Sequence, residues 1–96
     1  MTGIESTGHS GQAEKGSDIV CAAVSVLMQS LILGIVKVAH VKNVDLQIDD
    51  SVPLMRVTWP KYESKRLSLL TKTTAESLKV IASDNPKYVK VISEVA

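Results

Sequence analysis

A chain of 96 residues, 45% hydrophobic and 22% charged, is sized for one domain with a modest core. Its net charge of +1 comes from Lys and Arg spread along the chain, with no basic block and few aromatics, which disfavours nucleic-acid binding. A single cysteine excludes an internal disulfide and suits the reducing cytoplasm, and one Cys with two His falls short of a structural zinc site, so no metal or cofactor is expected.

In chain order, residues 2–8 (TGIESTG) alternate loosely and predict a short strand. The first residues lack the basic-then-apolar order of a signal peptide. Residues 8–16 (GHSGQAEKG) hold three of the five glycines and predict a mobile loop. Ser17-Asp18 then offers an N-cap to a long apolar helix expected to end near His40, which would cap its C-terminal end. Residues 19–39 are long enough to span a bilayer, but Ser25, Gln29, Ser30 and Lys37 interrupt them. Polar groups at mid-membrane need partners, and no second span supplies them. The expectation is a central helix buried on most sides, with no membrane partner.

Residues 44–49 (VDLQID) and 54–59 (LMRVTW) alternate with the period of half-buried strands, joined through the turn residues Asp49-Asp50-Ser51 as a hairpin that ends at Pro60. Ser64 offers a cap to a second helix, whose Leu67, Leu70, Thr74, Leu78 and Ile81 line one face; Asp84-Asn85-Pro86 stops it. Tyr88 to Val95 alternates as a last strand. The order is β-α-β-β-α-β. It predicts one two-layer α+β domain over residues 1–96, with two helices packed on one mostly antiparallel β-sheet.

The candidate chemistry gathers at the start of the first helix. With Asp18 as N-cap, Cys21 falls in the first turn, where the helix end favours negative charge and hence a thiolate. The Asp18 carboxylate opposes that, so an imidazole partner is needed, and His9 is the one histidine near in sequence. The loop of Ser10, Gly11, Gln12, Ala13, Glu14, Lys15 and Gly16 has the glycines to fold His9 over Cys21 and lacks a large apolar anchor, which suits a flexible substrate loop. Asp18, Cys21, Ser25 and Gln29 are spaced three, four and four residues apart, forming one polar stripe on an otherwise apolar helix. A Ser25 hydroxyl one turn below the nucleophile is placed to assist an oxyanion. From the residues alone a plainer reading also stands. Cys21 is then a small buried hydrophobe, His9 a loop residue, and Ser25 and Gln29 satisfy each other or face a dimer partner.

The segment Gly8-His9-Ser10, followed by Gly16-Ser17-Asp18-Ile19-Val20-Cys21-Ala22-Ala23-Val24-Ser25, resembles the signature of the ribosomal-processing cysteine protease family called Prp. That signature is Gly-His-small, a glycine-containing loop, then Gly-x-Asp-apolar-apolar-Cys-Ala-x-x-Ser. The resemblance implies a bacterial cysteine endopeptidase. Its substrate would be the N-terminal extension on the precursor of a large-subunit ribosomal protein, number twenty-seven, cut after apolar aromatic residues. It implies Cys21 as nucleophile, His9 as base, and Asp18 and Ser25 in supporting roles. Eight residues precede His9, fewer than in most family members, so one strand of the family sheet is expected to be missing. The alternative function is a non-catalytic dimeric module that recognises a ribosomal protein tail. In either case the apolar helix has more surface than one sheet face can cover, so a homodimer is expected.

Overall fold

The computed structural model describes residues 1–8, 15–49, 54–87 and 89–94. Its elements are β1 (Gly3–Gly8), α1 (Lys15–Leu33), β2 (Asp45–Asp49), β3 (Leu54–Thr58), α2 (Ser68–Asp84) and β4 (Val89–Glu94). The fold is α+β in the order β-α-β-β-α-β. All strand pairings are antiparallel and the sheet order is β2-β3-β1-β4. The strand and second-helix bounds agree with the sequence reading to within a residue or a few. The hairpin turn at residues 50–53, Tyr88 and Val95 lie outside the described residues.

β1 occupies the middle of the sheet. Its Ile4 and Ser6 stand opposite Val57 and Met55 on one side and opposite Ser93 and Val91 on the other, which fixes the helix-facing surface. α1 packs over β1 and β3, and α2 packs over β4. Val24, Met28 and Leu31 of α1 and Ile35 just beyond its end, spaced four, three and four apart, form one buried helical face; they meet Ile4, Val57, Leu78 and Val89 in the core. Leu46 and Ile48 of β2 stand opposite Val57 and Met55, yet they remain 48% and 56% exposed. The sheet therefore projects beyond the helices on the β2 side.

The other sheet face is polar. Arg56 donates to both carboxylate oxygens of Glu94, at 2.9 and 3.0 Å, reaching across β1 with Glu5 at 3.9 Å. The hydrogen bond to Glu94 holds the Arg56 guanidinium above its usual range, so it stays charged. This bridge fits only because residue 3 is glycine. A Cβ there would come within 2.5 Å of Glu94 Oε2, 2.7 Å of Thr58 Cγ2 and 3.0 Å of the Val57 carbonyl oxygen. Gly3→Ala is expected to destabilise the fold by ~1–3 kcal/mol as an overpacked site, read as a lowered denaturation midpoint. A midpoint equal to the parent's would show that the strands yield there without strain.

Three features of the helix ends differ from the sequence reading. α1 begins at Lys15, so Lys15 and Gly16 are helical rather than loop, and Asp18 is the fourth helical residue rather than the N-cap. Ser64 does not cap α2, which starts at Ser68; its hydroxyl donates instead to the Met1 carbonyl at 2.8 Å. The same carbonyl accepts from the indole of buried Trp59 at 3.2 Å, which ties the start of the chain to the end of β3. Beyond Leu33, the helix widens into a π-helical segment, Gly34–Val38, where Gly34 admits Leu70 of α2 close to its backbone. His40 then takes a left-handed conformation (φ 54°), and the amide of Val41 donates to the carbonyl of Ile35. The helical turns thus end just before His40, where the chain turns left-handed.

A fourth difference concerns burial. Residues Ile19–Val38 are long and apolar enough to cross a membrane, with mean hydropathy 2.5, but the helix is not buried on most sides. Ile19, Val26 and Leu33 are 73%, 64% and 52% exposed. They recur every seven residues and so form a single outward stripe.

Candidate active site

Cys21 is a free, half-buried thiol on α1. Because the helix starts at Lys15, Cys21 stands in its second turn rather than its first, one turn further from the helix end than expected. It opens onto a cleft of about 340 Å³ between α1 and the β2–β3 side of the sheet. That volume is at the small end for ligand sites and suits a peptide side chain or two rather than a large cofactor.

One wall of the cleft is the polar stripe of α1, where Cys21, Ser25 and Gln29 all face in. The facing wall comes from the hairpin strands, through Ile48, Asp49, Leu54 and Met55. Val24 of α1, Ser6 and Gly8 of β1 and Val89 of β4 complete the lining. The positions follow from local structure. Cys21, Ser25 and Gln29 share a helix face by their spacing of four. Ile48 and Met55 are direct cross-strand partners, so they point to the same side as Ser6.

The hydrogen bonds within the stripe are directional. Gln29 Nε2 donates to Ser25 Oγ at 3.0 Å, and Ser25 Oγ donates to Met55 Sδ at 3.8 Å. Ser25 and Gln29 do satisfy each other in part, as the plainer reading of the sequence allowed, but the Ser25 proton faces across the cleft.

The structure thus brings Cys21 and Ser25 together at one opening. His9 and the loop residues Ser10, Gly11, Gln12, Ala13 and Glu14 lie outside the described residues. Gly8, the residue joined to His9, is at the cleft. Among the described residues no group of three or more His, Cys, Asp or Glu side chains is placed to hold a metal. Sequence reasoning missed Ile48, Leu54, Met55 and Val89 as lining residues. Their alternation showed which residues share a sheet face, but not which helix crosses that face.

A free thiol at the mouth of an apolar cleft, beside a hydroxyl, on an α+β scaffold has the layout of a small thiol hydrolase. The family model for cysteine protease Prp matches residues 1–90, nearly the whole chain, and the chain belongs to that cysteine protease family. No curated protein and no solved structure matches it.

Proposed function

We propose that the chain is a cysteine endopeptidase that removes the N-terminal extension of a large-subunit ribosomal protein precursor, number twenty-seven, in the bacterial cytoplasm. The observation that carries the reading is the free Cys21 thiol opening onto a cleft in a chain of this family. The reaction is acyl transfer. His9 takes the thiol proton, Cys21 Sγ bonds to the scissile carbonyl carbon, and the peptide nitrogen leaves with a proton returned from His9. Water then releases the acyl fragment from Cys21. The position of Gly8 in the cleft lining, one residue before His9 in the chain, supports the assignment of His9 as base. Ser25 donates toward the carbonyl oxygen as negative charge develops there. Asp18 stands near the start of α1, where its role is to orient His9. Ser10, Gly11, Gln12, Ala13 and Glu14 join the base to the nucleophile helix, which begins at Lys15.

The second reading is a binding module for the same ribosomal protein tail, in which the cleft holds the peptide without cutting it. Thiol reactivity separates the two. A working nucleophile is alkylated by a haloacetamide near neutral pH much faster than an ordinary cysteine, whereas a thiol in a mere binding cleft is not.

The protein is also proposed to act as a homodimer. The stripe of Ile19, Val26 and Leu33 has the seven-residue recurrence of a helix that packs on a partner helix, and a second copy presents the same stripe. Light scattering at micromolar concentration is expected to give twice the monomer mass, and Val26→Glu with Leu33→Glu is expected to halve it. A parent that scatters as a monomer at that concentration would contradict the dimer.

A further inference from the structure

Below Cys21, the hydroxyl of Ser25 is held in an unusual way. Hydroxyls inside a helix commonly donate to the carbonyl four residues back. Thr74 and Ser77 of α2 do so, to Leu70 and Thr73, at 2.8 and 2.9 Å. Ser25 instead has Gln29 Nε2 donating to its oxygen, while its own proton is directed out of the helix to Met55 Sδ across the cleft. A thioether is a weak acceptor. The hydroxyl is thus oriented toward the cleft but loosely engaged there.

We propose that Gln29 is a positioning residue, which fixes Ser25 as a hydrogen-bond donor into the cleft, and that Met55 Sδ is the placeholder acceptor a substrate carbonyl displaces. This rests on the reading of Cys21 as an acyl-transfer nucleophile. When Cys21 Sγ bonds to the carbonyl carbon, the carbonyl π pair moves onto oxygen. The Ser25 hydrogen bond then passes from sulfur to that oxyanion, and the proton stays on Ser25. A charged oxygen is a far better acceptor than a thioether, so the interaction strengthens as the transition state forms. Gln29 supplies the direction. With its amide donating to the Ser25 oxygen, the hydroxyl has no reason to turn back along the helix.

The test uses Gln29→Glu, which keeps the length of the side chain but replaces the donor by an acceptor. A carboxylate at that position accepts a hydrogen bond from the Ser25 hydroxyl and turns it away from the cleft. The expected result is a fall in kcat for precursor cleavage of about 100-fold, matching Ser25→Ala and in the range for loss of one oxyanion donor. KM should stay within about threefold, since an interaction made in the transition state is lost. In a Ser25→Ala background, Gln29→Glu should cause no further loss. Haloacetamide alkylation of Cys21, which passes through no carbonyl oxyanion, should run at the parent rate in both variants. Gln29→Glu with the kcat of the parent would overturn the proposal, as would a loss that persists undiminished in the Ser25→Ala background. Failure of the underlying reading looks different: precursor cleavage would then be absent in the parent, or unchanged in Cys21→Ala.

Discussion

Cys21→Ala is expected to abolish precursor cleavage, by about 10,000-fold or more, while the protein remains folded. Deleting the atom that forms the covalent bond leaves no alternative nucleophile, and losses of this order accompany removal of other enzymic nucleophiles. The fold should tolerate the change. Cys21 is half-buried in the cleft lining and is not among the buried side chains of α1, which are Val24, Met28 and Leu31. The variant should keep the circular dichroism and the unfolding midpoint of the parent. A folded Cys21→Ala protein that still processes precursor at the parent rate would remove the thiol from the chemistry and leave the cleft as a binding site.

His9→Ala is expected to lower kcat by roughly 100- to 10,000-fold, the range for loss of a general acid–base group, with little change in KM. In the parent, activity should rise with pH through the interval in which the imidazole and the thiol exchange protons, a property of the pair rather than of either group. An equally active His9→Ala protein with the pH profile of the parent would exclude His9 as the base.

The parts of the fold legible in the sequence are those that short-range pattern controls. Alternation in residues 54–59 located β3 because one face of that strand turns toward the helices and the other toward water; the same alternation in residues 44–49 located β2, although all five of its residues are exposed. Thr74 and Leu78 are buried because their spacing puts them on the face of α2 turned to the core, and Leu67 joins them from the residue before the helix. The reading failed where distant residues decide. Ser64 has the side chain of a helix cap, but the Met1 carbonyl, 63 positions away in the chain, takes its hydroxyl. Ser17-Asp18 marks a place where a helix can begin, whereas α1 is already helical at Lys15. In α1 the apolar residues run around the whole helix, so their pattern could not say which of them this chain covers. Val24 and Met28 are covered, whereas Ile19 and Val26 are left outward.

The site divides in the same way. Cys21, Ser25 and Gln29 were legible as one stripe because a spacing of four on a helix sets a common direction without reference to the rest of the molecule. The facing wall of Ile48 and Met55 was not, since it depends on how α1 crosses the sheet. Nor did any sequence signal show that the Ser25 proton points to Met55 rather than back along α1.

The account is tested most directly by incubating the protein with the full-length ribosomal protein precursor, and separately with the mature form, and weighing the products by mass spectrometry. Release of a single N-terminal peptide from the precursor, none from the mature form and none with Cys21→Ala is the predicted result. A precursor that binds the folded protein but keeps its full mass would contradict the endopeptidase reading.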